Sequence, residues 1–453
     1  MSKQKQENGK LKRSTAISYA LAAGTGSQFI GALVGTYISV FLTDTFGVPA
    51  AAVGIIMVIA TIWDAINDPM MGSIADHTKS RWGRYRPYLL FIPIPLAIVT
   101  VLLFSNPDLS TTGKIVWTAV FYIAYGMLTT AIQIPFGAII NAATAQESQR
   151  RRMVSSYTFV MGIVTTIASS FALVLIEIAG KGNTAKGYMI VLGIAGIVLV
   201  LTNWFCFACT KEKFVNKEQP EPLLKQLKKL VKFKEIFPVL LIWCMGCLGF
   251  QSMMGSSVYY ITYYIGNPAL IPTYMLVVSL VGLLGIVIAL PIFSRIFKEM
   301  RTGFMVSQGL AAICFLILFF IGKNSIPLLY VLSGIAAIFI TMSNAYIPLI
   351  MTEMIDYVYY KNGDQLNATI GALRGFSYKC GVALSSGIMM FTLGATGYVA
   401  NAPTQTSTAL IGINFVRFLV PVISAIIVII CLKFYPVTGK VKEDMKDLYI
   451  NQR

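Results

Sequence analysis

Trp63-Asp64-Ala65-Ile66-Asn67-Asp68-Pro69 puts two carboxylates and a carboxamide inside an otherwise apolar stretch, Val53 to Met71. An ionised carboxylate in hydrocarbon costs ~3 kcal/mol even on insertion scales, so acids in such a stretch face a cavity, a partner or an ion. At ~100° per residue, positions 64, 67 and 68 fall within about 100° of arc, which places Asp64, Asn67 and Asp68 on one face of a helix. Oxygen donors at that spacing suit a hard monovalent cation.

The surrounding composition makes this a membrane chain. Of 453 residues, 56% are hydrophobic and only 12% charged, with a mean hydropathy of +0.71. That is more apolar surface than a soluble domain hides. A span needs ~20 apolar residues to cross ~30 Å of hydrocarbon. Twelve are expected, near 15–43, 50–75, 87–105, 114–141, 155–179, 186–209, 237–265, 270–294, 303–322, 326–355, 367–394 and 407–434. Lys and Arg crowd at Lys3–Arg13, Lys79–Arg86, Arg150–Arg152, Lys211–Lys234, Arg295–Arg301 and from Lys433 onward, in alternate loops. Short cytoplasmic loops retain such residues, so both termini are expected on the cytoplasmic side of the cell membrane. The net charge of +17 is then topogenic, which excludes nucleic acid as the expected partner. The polar first residues and the long apolar stretch after them do not form a cleavable signal peptide. The seven cysteines include two C-x-x-C pairs, Cys206/Cys209 and Cys244/Cys247, but both lie in apolar spans and read as small buried thiols.

The expected fold is an all-α membrane protein with twelve transmembrane helices in two six-helix bundles. Residues 1–209 form the first bundle, 210–236 a cytoplasmic linker, 237–435 the second bundle and 436–453 a tail. In the linker, Leu223, Leu224, Leu227, Leu230 and Val231 keep helical spacing opposite Lys225, Lys228, Lys229 and Lys232, as in a helix lying on an anionic leaflet. After the second span, Gly72-Ser73-Ile74-Ala75-Asp76 leads to Gly83-Arg84-Tyr85-Arg86-Pro87, and Pro291–Arg301 echoes it in the second half. Repetition of this sort is typical of transporters built from two rocking halves. Asp76, Arg84 and Arg86 are therefore expected to form a latch that pairs acid with guanidinium in one conformation and separates in the other. His77, beside Asp76, reads as a solvated loop residue.

The string Asp-Ala-Ile-Asn-Asp-Pro-Met-Met-Gly at 64–72, followed by Ser80-Arg81-Trp82-Gly83-Arg84-Tyr85-Arg86-Pro87, resembles the glycoside-pentoside-hexuronide cation symporters of the major facilitator superfamily, of which the melibiose permease is the best-known member. Thr43-Asp44, Ile134-Pro135-Phe136-Gly137, Ile355-Asp356-Tyr357, Phe376–Gly381 and Gly397–Asn401 follow in order, so the similarity covers nearly the whole chain. The resemblance implies a coupling cation held by Asp64, Asn67, Asp68 and Thr130. Retention of all four oxygen donors favours Na⁺, with H⁺ the alternative. It implies substrate contacts at Gln28, Gln133 and Thr158, where the melibiose permease has two acids and an arginine. Amides still hydrogen-bond hydroxyls but do not repel an anion. Arg374 and Lys379 in the eleventh span then fit a carboxylate-bearing substrate such as a glucuronide or hexuronide. The same changes fit a neutral pentoside. Five residues of separation turn Arg374 and Lys379 ~140° apart, so both cannot point squarely into one cavity. Lys379 is read as a substrate contact or as a relay to the helix-two carboxylates when no cation is bound, and Arg374 as a substrate contact or a partner for Glu353 or Asp356. Tyr157 and Tyr378 are positioned to stack on a sugar.

The reading is a symporter that imports a glycoside or uronide with Na⁺ or H⁺ by alternating access. It is not an enzyme, needs no cofactor beyond the coupling cation, sits among membrane lipids and acts as a monomer. The alternatives are a neutral pentoside or xyloside symporter and a cation-coupled lipid transporter of the same fold. A membrane prenyl-transfer enzyme needs a second Asp-rich cluster, which the sequence lacks.

Overall fold

The computed structural model describes residues 13–144, 146–212, 233–297, 299–362, 367–439, 441–442 and 444–445. Among them the regular structure is helical, and it groups into twelve helical segments. They are α1 (Arg13–Thr45), α2 (Ala50–His77), α3 in two pieces (Arg86–Phe91 and Pro93–Leu103), α4 (Thr111–Ala143), α5 (Glu147–Gly180) and α6 (Thr184–Cys209), then α7 (Ile236–Tyr264), α8 (Pro268–Ile296), α9 (Met300–Ile321), α10 (Ile326–Asn362), α11 (Asn367–Ala395) and α12 (Ser407–Lys433). Ten are long and apolar enough to cross a membrane. The other two have local reasons for falling short. Pro93 has no N–H to donate and splits α3, while α11 carries Arg374, Lys379 and three interior serines. Helix α5 starts eight residues before the hydropathy edge expected at 155, and α10 runs past 355 to Asn362. Their polar ends are helical but give no hydropathy signal.

The chain divides between Gln219 and Pro220 into two compact units. The lysine-rich helix expected at 223–232 lies outside the described residues. In the first unit α1 packs on α5 and α6, α2 on α4, and α3 on α4 and α6. Lipid supplies no hydrophobic drive between helices, so close backbone approach through small residues must hold them. A Cβ on Gly26 of α1 would lie 2.3 Å from the Leu199 nitrogen of α6, and one on Gly187 of α6 would lie 2.1 Å from the Ile176 carbonyl of α5. The second unit repeats the neighbour pattern, with α7 on α11 and α12, α8 on α10, and α9 on α10 and α12. Gly381 of α11 does there what Gly26 does in the first unit, its missing Cβ sitting 2.3 Å from the Cys244 carbonyl of α7.

The repetition extends to a detail. Helix α1 ends in a π-turn, Phe41–Thr45, then Phe46, Gly47 and a proline, Pro49, that opens α2; α7 ends in a π-turn, Tyr260–Tyr264, then Ile265, Gly266 and Pro268 at the head of α8. Both glycines have φ of 78°, a left-handed conformation that a side chain would strain. The hydrogen bonds match as well: Phe46 N–H donates to the Phe41 carbonyl and Val48 N–H to Leu42, as Ile265 donates to Tyr260 and Asn267 to Ile261.

One buried charge ties the second unit together. Arg417 lies fully buried in the π-turn of α12, and its guanidinium donates to the Met253 carbonyl of α7 at 2.6 Å and to the Tyr274 hydroxyl of α8. In return Ser252 of α7 donates to the Val416 carbonyl at 2.8 Å. The Val416 carbonyl belongs to the π-turn of α12, and the Ser252 hydroxyl bonds to it there. Arg417→Ala removes two charge-assisted bonds between α12 and its neighbours and leaves a cavity. It is expected to cost about 3 kcal/mol, seen as a lowered thermal unfolding midpoint in detergent, whereas Ser252→Ala should cost about 1 kcal/mol.

Candidate functional site

Asp64 and Asp68 stand one turn apart on α2, which runs unbroken through Pro69. That proline removes the hydrogen bond to the carbonyl of residue 65 and leaves an extra backbone oxygen beside the acids. Facing them on α4 are Tyr122, Gly126 and Thr130, also at four-residue steps. The Thr130 hydroxyl donates to Asp68 Oδ1 at 2.9 Å, and a Cβ on Gly126 would come within 2.9 Å of Asp64 Oδ1. A side chain at 126 would have to displace the tip of Asp64 from this position. Asn67 is buried, and its carboxamide Nδ2 has no hydrogen-bond partner. Turned over, the amide would point Oδ1 at the same spot, and a cation there would satisfy it. No Lys or Arg lies in the interior of α1–α6. Two half-buried carboxylates and a hydroxyl, with Asn67 on the same stretch of α2, are groups of the kind that suits a monovalent cation. Of the four expected donors, Thr130 and Asp68 are in hydrogen-bond contact, and Asp64 lies one turn away on α2 against Gly126. Tyr122, Tyr125 and Gly126, which shape the site from α4, carried no legible signal.

A cavity of about 320 Å³ opens beside this site, within the first unit. Gln28 of α1 and Gln133 of α4 both line it, as do Tyr19, Tyr125, Phe136, Tyr157 and Asn203. Gln28 donates from Nε2 to the Thr165 hydroxyl of α5 at 2.7 Å, and Thr165 spends its own proton on the Met161 carbonyl at 2.8 Å. That chain fixes Gln28 as donor on the α5 side and leaves its carbonyl as an acceptor. Tyr19 stacks on Phe136 with ring centroids 4.1 Å apart and meets Tyr157 edge-on at 5.9 Å, giving the cavity an aromatic wall. Thr158, expected at the substrate, is exposed and does not line this cavity; its neighbour Tyr157 does. A single residue on a helix is a 100° turn, enough to exchange the two.

Both sites share α4. Its 122/126/130 stripe faces the acids of α2, while the adjacent 125/129/133/136 stripe faces the cavity. Tyr125 belongs to both, lining the cavity while lying in the field of Asp64.

Arg374 and Lys379 stand on α11 of the second unit, half-buried, and are not among the residues lining this cavity. Arg374 Nε is buried without a partner. Glu353, considered as its mate, instead accepts from Lys442 at 2.5 Å and from the Tyr435 hydroxyl at 2.9 Å.

The loop between α2 and α3 is built differently from the expected latch. Asp76 accepts from the Tyr85 hydroxyl at 2.8 Å. Burial, followed by this bond to an acid, raises the Tyr85 phenol above its ordinary pKa. Arg86 spends its guanidinium on the Phe207 and Trp82 carbonyls and stacks on the Phe207 ring at 4.4 Å. The carboxylate that grips the loop is Glu212, which accepts from the backbone N–H groups of Arg84, Tyr85 and Arg86, each at 2.8 Å. Gly83 makes room, since a Cβ there would meet the Glu212 carboxyl carbon at 2.8 Å. Three charge-assisted bonds converge on one end of α3, where the helix dipole also favours an anion. Glu212→Gln is expected to ease local opening of residues 83–86 by about 2 kcal/mol, which amide hydrogen exchange would register as roughly thirty-fold faster exchange.

A model of the MFS/sugar transport protein family matches residues 19–439. The chain is 32% identical to the isoprimeverose transporter of Lactiplantibacillus pentosus over 89% of this chain and 85% of that protein. It is 28% identical to the glucuronide carrier protein homolog of Escherichia coli strain K12 over 96% and 94%. Among solved structures, the crystal structure of a D-xylose-proton symporter superposes with a TM-score of 0.64 at 14% identity, covering 93% of this chain and 97% of that one, which speaks to the fold alone.

Proposed function

The chain belongs to the MFS/sugar transport protein family, and from that premise we propose that it is a secondary active symporter importing a glycoside or uronide together with Na⁺, or with H⁺ in its place. The observation that carries this is the double use of α4, one stripe on the Asp64/Asp68 pair and the next on a cavity with an aromatic wall and two amides. Asp64, Asn67, Asp68 and Thr130 would hold the cation. Gln28, Gln133 and the aromatic wall would hold the sugar, amides meeting hydroxyls and rings meeting the apolar sugar face.

Coupling follows from charge. With no cation bound, the two carboxylates repel each other and press on α4; a bound cation neutralises them and fixes the helix that bears Gln133. By linkage, whatever factor the cation adds to sugar affinity the sugar adds to cation affinity. A sugar related to that of the isoprimeverose transporter tests the neutral class, and a glucuronide tests the anionic class, toward which Arg374 and Lys379 incline the reading. The basic residues in alternate loops support a cytoplasmic side of the cell membrane for both termini. The test is uptake into proteoliposomes of an isoprimeverose-type disaccharide and of a glucuronide, with an inward Na⁺ gradient, an inward H⁺ gradient or none. Accumulation above equilibrium with a cation gradient supports symport, and equilibration that ignores both gradients overturns it.

A further inference from the structure

The N-terminal part of α1 packs against α5. They touch where Gly24 meets Val160, a Cβ on Gly24 falling 2.6 Å from Val160 Cγ1. Between that contact and Arg13 and Arg152 the two helices line a groove of about 310 Å³. Its floor is the small-residue side of α1, Ala16 and Ala20, and its rim carries Ile17 and Phe159, which are 55% and 70% exposed. Arg13 and Arg152, both exposed, line the same groove.

Apolar exposure alone is ordinary on a chain that meets hydrocarbon. Two guanidinium groups at the mouth of an apolar wedge are not, because each seeks an anion at the level where the helices leave the bilayer. We propose that this groove binds one anionic phospholipid, its phosphate held by Arg13 and Arg152 and the start of one acyl chain laid on Ala16, Ala20 and Val160. Guanidinium groups clasp phosphate oxygens through paired N–H donors, and basic residues at a cytoplasmic interface attract anionic lipid. The Ser156/Phe159/Val160 side of α5 faces the groove while Tyr157 and Met161 face the cavity described above, so the lipid would wedge the helix pair that also carries Gln28. The proposal does not rest on the sugar reading.

The test is thermal stability of detergent-solubilised full-length protein titrated with dioleoylphosphatidylglycerol, dioleoylphosphatidylcholine or glycerol 3-phosphate. Phosphatidylglycerol should raise the unfolding midpoint at concentrations where phosphatidylcholine does not, and glycerol 3-phosphate, which has the phosphate but no chain, should have no effect. In the Arg13→Gln/Arg152→Gln variant the phosphatidylglycerol midpoint should move at least tenfold higher, while Arg13→Lys/Arg152→Lys should keep most of the response. Ser156→Trp, which fills the groove and leaves the arginines, should also blunt it. An unfolding midpoint equal to wild type in phosphatidylcholine shows that a variant is folded. Equal phosphatidylglycerol responses in wild type and the glutamine variant, or equal stabilisation by glycerol 3-phosphate, would overturn the proposal.

Discussion

Asp68→Asn and Asp64→Asn are each expected to abolish Na⁺-driven accumulation while leaving exchange of sugar down its own gradient measurable. Each substitution removes one of the two carboxylates of the proposed cation site. At ~4 Å and an effective dielectric of ~20, a single charge pair is worth about 4 kcal/mol, or roughly a thousandfold in cation affinity. The geometry adds a graded companion. Thr130→Val keeps both acids and removes only the donor to Asp68, so it should weaken Na⁺ by about tenfold, the scale of one hydrogen bond to a charged group. Gly126→Ala should do so more severely, because its Cβ contests the place of Asp64 Oδ1. The measurement is the Na⁺ concentration for half-maximal sugar uptake in proteoliposomes. Unchanged Na⁺ dependence in both aspartate variants would remove the proposed cation site.

The second large effect concerns substrate charge. Gln28→Glu and Gln133→Glu are nearly isosteric and put a carboxylate where the cavity has an amide. Like charges ~6 Å apart at a dielectric of ~20 cost roughly 3 kcal/mol, so binding of a glucuronide should fall about a hundredfold. A neutral glycoside should change far less. At position 28 the exchange has a visible side effect: Thr165, which now gives its proton to Met161, must turn it toward the new carboxylate. Isothermal titration of one glucuronide and one neutral glycoside against wild type and both variants reads this directly. Equal losses for both ligands would show the amides to be plain hydrogen-bonding groups and would withdraw the uronide preference.

The sequence exposed the passes and the acids because both are loud in hydropathy. Asp64 and Asp68 stand out in an apolar run, and the helical period alone puts them on one face. Their α4 counterpart stayed hidden because glycine has no chemistry to notice; Gly126 matters for what it lacks. Glu212 was hidden differently, between Lys211 and Lys213, where an acid reads as surface charge. Sequence proximity then assigned Asp76 to the arginines, whereas Tyr85 takes it and backbone N–H groups take the distant acid. Thr158 and Tyr157 show the limit of position-by-position transfer, since helix phase decides which of two neighbours reaches the cavity.

The matched turns at Gly47 and Gly266 also set a register between the halves, and the register carries history. Counting equally from each glycine, the places of Asp64, Asn67 and Asp68 fall in the second half on Leu283, Ile286 and Val287, the last two exposed and apolar. If one ancestral six-helix gene was duplicated, its copies kept the scaffold down to the hydrogen bonds of a turn and parted over a few side chains. One copy carries two carboxylates and an amide on its second helix; the other carries aliphatic groups there and a π-turn, Gly285–Ala289. Selection could then act on the ion through one paralogous half without disturbing the architecture of either.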